Sequence, residues 1–282
     1  MKIIRDIAEM QAASRAARMG GLSIGFVPTM GALHEGHLSL ARRARAQATL
    51  VVVSIFVNPL QFGPSEDFGR YPRTLESDCA LLEAEGVEVV FAPSTEQMYP
   101  PDAATVVHVE GLSDRLDGRS RPGHFRGVST VVAKLFHIVG PDCAVFGQKD
   151  AAQVAVLRRM VRDLNLPIEL IVAPIARDPD GLALSSRNAY LSADERRQAL
   201  VLHRALRRVE ELAGSGETNS ERLRSAALYV LADEPVAVLD YLEIVNPDTL
   251  LPVDSVAQGA LFAVAASFGP TRLIDNVLLP PQ

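Results

Sequence analysis

The chain has 282 residues, 48% of them hydrophobic and 22% charged, with a formal net charge of −6. That length exceeds one ordinary domain and the apolar share supports a sizeable core, so two domains are expected, one large and one small. The negative balance argues against a nucleic-acid scaffold, because phosphate-backbone binding needs a basic surface, yet a small anion held by a few local cations stays open.

Residues 1–6 break their apolar run with charges at once and show no signal-peptide core. The longest apolar stretches, around 50–57 and 260–268, are about half of a membrane span. Cys79 and Cys143 lie far apart within apolar segments, as reduced buried thiols do. A soluble, cytoplasmic protein is expected.

Residues 4–19 carry apolar positions at helical spacing, and 22–27 read as a buried strand. Between that strand and a helix running to about residue 47 stands Val27-Pro28-Thr29-Met30-Gly31-Ala32-Leu33-His34-Glu35-Gly36-His37. A strand, a glycine turn and a helix start make an anion site, where backbone N–H groups and the helix dipole meet negative charge. His34 and His37 add donors that can change charge near neutral pH. Taken alone, His-x-Gly-His would be a capping loop with two solvated histidines.

Residues 50–57 form a near-continuous apolar run, which predicts a strand buried on both faces of a parallel sheet. It ends in Asn58-Pro59-Leu60-Gln61-Phe62-Gly63, a loop where open α/β sheets place ligands. Next come a helix over 74–86, a strand over 87–91 and a weaker strand signal over 105–109. A glycine- and arginine-rich loop over 117–125 precedes a helix over 128–139, and a strand over 143–146 leads into Gly147-Gln148-Lys149-Asp150 and a helix to about 163. A strand over 168–172 closes the alternation, which predicts a Rossmann-like, doubly wound parallel sheet of class α/β.

After Pro174 the texture turns loop-rich, with Leu184-Ser185-Ser186-Arg187-Asn188 just beyond. Ser192-Ala193-Asp194-Glu195 is a capping box opening a long helix to about 213; a second helix over 220–231 and strands over 236–245, 259–267 and 271–277 follow. A boundary near residue 176 would leave 1–176 as the larger domain and 177–282 as a smaller α+β domain.

Two histidines, a lysine and an arginine from distant segments are what binding a triphosphate and stabilising charge on its α-phosphate require, as in an adenylate-forming nucleotidylyltransferase. Five ordered blocks make the likeness specific: 28–37, then Phe56-Val57-Asn58-Pro59-Leu60-Gln61-Phe62, then Tyr71-Pro72-Arg73-Thr74, then 146–150, then 184–192. Together they resemble the pantoate–β-alanine ligase family of the HxGH nucleotidylyltransferase superfamily. The resemblance runs over roughly residues 22–192 and thins in the last third.

The resemblance implies a Rossmann-like ATP- and pantoate-binding domain, a small carboxyl-terminal lid, a cytoplasmic homodimer, and condensation of (R)-pantoate with β-alanine through pantoyl adenylate. The implied ATP contacts are Met30, Gly31, Ala32, Leu33, His34, Glu35, Gly36, His37, Gly147, Gln148, Lys149, Asp150, Ala176, Leu184, Ser185, Ser186 and Arg187. Of these, His37, His34, Lys149, Ser185, Ser186 and Arg187 are the implied catalytic set, with Asp150 on the ribose and backbone near Ala176 on adenine. Gln61 and Gln153 are the implied pantoate contacts, a carboxamide suiting hydroxyls because it donates and accepts. Gln148 stands where the family also takes an acidic residue.

Mg²⁺ is expected to arrive on the nucleotide phosphates, with no protein ligand assigned to it, Glu66 and Asp67 being the acids weighed for that place. Taken singly, Ser185 and Ser186 are turn residues, Lys149 a surface lysine and Gln61 a loop amide. Arg121 is either a phosphate contact or solvated, Tyr71 is read as packing, and His108, His124, His137 and His203 as structural or surface residues. Two rivals are weighed. A nucleotidylyltransferase for another acceptor would need a further basic pocket, whereas a non-catalytic nucleotide sensor should lack one of the histidine, lysine or arginine elements.

Overall fold

A computed structural model describes residues 1–64 and 66–282. The chain forms two compact units: Met1–Gly147 with Val156–Ala173, and Gln148–Ala155 with Pro174–Gln282. Among the described residues no helix is long and apolar enough to cross a membrane.

The first unit runs β1 (Lys2–Ile4), α1 (Ile7–Met19), β2 (Ile24–Thr29), α2 (Glu35–Arg45), β3 (Leu50–Ile55), α3 (Leu75–Ala84), β4 (Val89–Phe91), the short α4 (Thr95–Met98) and α5 (Asp117–Ser120), α6 (His124–Val139), β5 (Cys143–Gly147), α7 (Ala151–Asp163) and β6 (Glu169–Ala173), with the first turns of α7 belonging to the second unit. Six of the described strands pair in parallel in the order β1-β4-β3-β2-β5-β6. The chain winds outward from β2 through β3 to β4, then returns to lay β5 on the other side of β2. The order therefore reverses between β2 and β5, and in open α/β sheets ligands bind beyond the carboxyl ends of the strands at that reversal. Thr29 and Gly147 are those ends.

Burial explains the strand signals. Val51, Val52 and Val53 are each at most 1% exposed, as an unbroken apolar run requires when helices cover both faces. Two expectations are corrected. Residues 2–4, part of them read as the start of a helix, form β1 instead, because pairing with β4 stops the helix until Asp6 caps it by accepting from Glu9 N. Residues 105–109 join no ladder; Val107 N donates to Thr130 Oγ1 and Val107 O accepts from Ser129 Oγ, so α6 hydroxyls replace a neighbouring strand. Among the glycines, Gly127 of α6 permits a close approach of backbone, since a Cβ there would stand 2.2 Å from Leu60 O.

The second unit holds α8 (Ala193–Gly214), α9 (Ser220–Leu231), β7 (Val238–Val245), β8 (Ala260–Phe268) and β9 (Thr271–Leu279), the strands antiparallel in the order β7-β8-β9. Ser192 and Glu195 form the reciprocal cap that starts α8. Leu202, Leu206 and Val209 of α8 pack with Leu223 of α9 and Phe262, Val264 and Phe268 of β8. Removing each such side chain from water contributes about 1.5–3 kcal/mol.

Candidate active site

In the first unit the site is built on the turn that leaves β2. Gly31 (φ 83°) and Ala32 (φ 51°) both occupy left-handed backbone, which an alanine enters only when its surroundings hold it there. The holder is Asp78 of α3, which is 2% exposed. Its Oδ2 accepts from Ala32 N (3.0 Å) and its Oδ1 from Leu33 N (2.8 Å), with Thr74 Oγ1 donating to Oδ2 at 3.2 Å. Thr29 anchors the other flank, its hydroxyl donating to Ser54 O (2.7 Å) and accepting from Gly31 N (3.2 Å).

The turn feeds the histidine pair. His34 is the N-cap of α2, its Nδ1 accepting from Gly36 N (3.2 Å), while His37 Nδ1 accepts from His34 N (3.4 Å). The capping box thus uses two imidazoles, with ring centroids 4.1 Å apart. Because both Nδ1 atoms face backbone donors, the proton of each neutral ring resides on Nε2. Two Nε2–H donors therefore belong to a helix N-terminus, whose dipole also favours negative charge.

Gln61 ends the turn Pro59–Gln61 that follows β3. Its Nε2 donates to Met30 Sδ (2.9 Å) and its Oε1 accepts from Asn58 Nδ2 (3.1 Å). Asn58, 1% exposed, also donates to Gly127 O and accepts from Tyr99 Oη at 2.8 Å. Behind it, the Gln61 carbonyl receives His124 Nδ1 (2.8 Å) and Arg121 Nη2 (3.3 Å). His124 Nε2 then accepts from Arg121 Nη1 at 3.1 Å. Arg121 is a bracket for Gln61 and makes a bidentate pair with Glu66 (2.7 and 2.6 Å). Burial raises the Glu66 carboxyl, but the bonds and charge of Arg121 outweigh it and hold it below its ordinary value. Tyr71 packs edge-on against Phe62.

His124 is pushed down to about 4, by burial first and then by the charge of Arg121. Below about 6.5 the unfolded chain takes up a proton that the folded chain refuses until about 4, so acidification across that window lowers stability. His124→Gln is expected to flatten the dependence of Tm on pH between those values. An unchanged slope would assign it to another group.

In the second unit the turn Gln148–Asp150 carries Lys149, whose Nζ donates to Asp150 Oδ1 at 3.1 Å. Gln153 follows on the first turns of α7. Residues 176–184 form a hairpin, with Leu184 N donating to Ala176 O (2.9 Å) and Asp178 N to Leu182 O (2.8 Å). Ser185 caps the helical turn Ser186–Tyr190 by accepting from Arg187 N at 3.2 Å. Its hydroxyl therefore has a structural task in addition to any on a substrate.

The first unit thus brings Met30 to Gln61 and His34 to His37, while Gly147 ends β5. The second unit gathers Gln148, Lys149 and Asp150 on one turn, and Ala176, Leu184, Ser185, Ser186 and Arg187 on one hairpin and its extension. Among the described residues no group of three or more His, Cys, Asp or Glu is placed to hold a metal ion. Sequence reasoning misses Asp78, Asn58 as the holder of Gln61, and the polar pair Asp275 and Asn276. Only the pair leaves a signal, an acid and an amide inside an apolar strand.

Comparisons with known proteins follow the same lines. The profile of the family described as Pantoate-beta-alanine ligase matches residues 2–278. A pantothenate synthetase from Koribacter versatilis is 63% identical over 279 residues, covering 99% of this chain and 96% of the relative. One from Thermotoga petrophila is 56% identical, covering 99% and 100%. The crystal structure of pantothenate synthetase from Thermus thermophilus superposes with a TM-score of 0.94 at 50% identity, over 100% of both chains. That of pantoate-beta-alanine ligase from Francisella tularensis, complexed with beta-gamma ATP and beta-alanine, gives 0.81 at 34% identity, over 99% of this chain and 97% of that one.

Proposed function

The chain belongs to the pantoate-beta-alanine ligase family, and from that premise we propose how its residues divide the ATP-dependent condensation of (R)-pantoate with β-alanine. In the first step a pantoate carboxylate oxygen attacks the α-phosphorus of MgATP. The bond from that phosphorus to the bridging oxygen of pyrophosphate breaks, leaving pantoyl adenylate. The amine of β-alanine then attacks the acyl carbon and loses a proton. AMP departs as the carbon–oxygen bond to it breaks, and pantothenate remains.

The observation that carries this assignment is the histidine pair, two imidazoles at a helix start whose Nδ1 atoms accept from backbone, so that each neutral ring carries its proton on Nε2. Such donors stabilise charge that builds on phosphate oxygens during displacement. His37 acts on the α-phosphate and His34 beside it, with the turn of residues 30–37 shaping the place the phosphates occupy. Lys149 and Arg187 neutralise the departing pyrophosphate, Arg187 through its forked donors, with Ser185 and Ser186 beside it. Gly147 and Gln148 line the nucleotide, Asp150 takes the ribose hydroxyls, and backbone at Ala176 and Leu184 meets adenine. Mg²⁺ enters on the phosphates as part of the substrate. Residues 1–176 serve as the ATP- and pantoate-binding domain and residues 177–282 as a small α+β lid domain, and the working form is a cytoplasmic homodimer.

Gln61 and Gln153 hold pantoate. Asn58 turns the Gln61 carboxamide so that Oε1 accepts from it, which leaves Nε2, now on the weak acceptor Met30 Sδ, to exchange for a pantoate oxygen. Gln61→Ala is expected to raise the KM for pantoate about tenfold or more, with the KM for ATP little changed, as follows from a lost hydrogen bond to a bound polar substrate. Unchanged pantoate dependence would remove Gln61 from the pocket.

The deciding experiment is ATP–pyrophosphate isotope exchange with Mg²⁺, with and without pantoate, β-alanine omitted. Exchange that requires pantoate is expected, followed by pantothenate and AMP once β-alanine is added. Folded protein that binds ATP but shows no pantoate-dependent exchange would favour another acceptor or a sensor.

A further inference from the structure

We propose that Asn276 is a positioning residue for adenylate formation: it fixes the turn that carries Lys149, while its neighbour Asp275 fixes the hairpin that leads to Arg187. This assignment deepens the reading above and rests on Lys149 serving the nucleotide phosphates.

Asn276 lies within β9 and is 3% exposed. Its Nδ2 donates to Gln148 O (3.0 Å) and to Lys149 O (2.9 Å), and its Oδ1 accepts from Gln148 Nε2 (3.0 Å). The two carbonyls fix the orientation of the carboxamide, because the flipped amide would set its oxygen against both of them. Both of its donors are thus spent on one turn. Asp275, 4% exposed, accepts from Arg177 Nη1 (2.6 Å) and Nη2 (2.9 Å). Arg177 also donates to Gly181 O at 3.0 Å, inside the 176–184 hairpin.

Successive residues of a strand face opposite sides. One dipeptide of β9 therefore grips the Lys149 turn on one side and the hairpin before Ser185 on the other. The grip also accounts for Gln148–Ala155 belonging to the second unit although they follow β5 directly in the chain. A lysine side chain has four rotatable bonds, so the reach of its ammonium is set by where its backbone is held. Displacement by about 1 Å can cost about a hundredfold in rate. An isolated stabilising bond could have come from any buried amide; three bonds concentrated on the backbone and neighbour of Lys149 hold one place in space.

The test is a double-mutant cycle on pantoate-dependent exchange, using Asn276→Asp, which keeps the shape but sets a carboxylate against two carbonyls, and Lys149→Met. Asn276→Asp is expected to lower kcat by about 10–100-fold with the KM for ATP within about threefold, in folded protein judged by circular dichroism. In the Lys149→Met background the same change should have almost no further effect, because the residue acts through that lysine. Multiplying losses, or an unchanged kcat in Asn276→Asp, would overturn the proposal. If Lys149→Met itself leaves exchange unaltered, the phosphate role of Lys149 fails instead, and the two failures are told apart. Asn276→Ser, which keeps one donor, carries the same cycle should the aspartate variant not fold.

Discussion

His37→Ala is expected to lower pantoate-dependent ATP–pyrophosphate exchange by about 10²–10³-fold, the usual loss when one donor to developing transition-state charge is removed. The alanine variant also removes an acceptor from the start of α2, since His37 Nδ1 accepts from His34 N. A capping loss of about 1 kcal/mol comes with it. His37→Glu separates the two effects. Glutamate is the ordinary third-position partner of a capping box and can accept from His34 N, but as a carboxylate it has no N–H to donate. The glutamate variant should therefore recover the Tm of the parent while staying at least as slow as the alanine variant. Recovery of both Tm and exchange in His37→Glu would reduce His37 to a cap and remove it from the chemistry.

What the sequence makes legible follows from how each feature is encoded. The doubly wound sheet can be read because a strand buried on both faces must be apolar almost throughout, as Leu50–Ile55 is with Ser54 its one polar residue, and because a helical period follows each such run. β1 cannot be read this way: Lys2–Ile4 is exposed at its first two residues and becomes a strand only by pairing with β4. Residues 105–109 have strand composition, yet hydroxyls of α6 reach Val107. Composition reports what a segment tolerates, and its partner decides what it becomes.

The candidate site divides in the same way. Met30, Gly31, His34 and His37 are spelled out together because one turn and one helix start carry them. The groups that hold them come from elsewhere: Asp78 reaches Leu33 across 45 residues, and Asn276 reaches Lys149 across 127. Neither pairing has a local pattern. Arg121 shows the cost of reading a cation by composition alone, since its guanidinium is taken by Glu66, His124 and the Gln61 carbonyl. The charge weighed above as a phosphate contact or a solvated residue instead braces the backbone of a residue assigned to pantoate.

Asp78→Asn tests whether the turn proposed to meet the phosphates is held from behind. The carboxylate accepts from two consecutive amides with separate oxygens, Oδ2 from Ala32 N and Oδ1 from Leu33 N. Asparagine has the same shape but only one acceptor atom, so its NH₂ must face one of those amides, donor against donor. Charge-assisted bonds of this kind contribute about 1.5–3 kcal/mol each, so a loss of about 3 kcal/mol is expected. In a chain of this size that is a fall in Tm of roughly 6–12 °C. Ala32 then has no reason to stay at φ 51°, and the turn that delivers His34 and His37 loses its fixed shape. The KM for ATP in pantoate-dependent exchange should rise about tenfold or more as that preorganisation is lost. Adding Ala32→Gly should recover part of the stability, because glycine enters left-handed backbone without the penalty a Cβ incurs. An Asp78→Asn protein with the parent's Tm and ATP dependence would show that the turn keeps its shape unaided, and that the buried carboxylate acts on neither the fold nor the nucleotide.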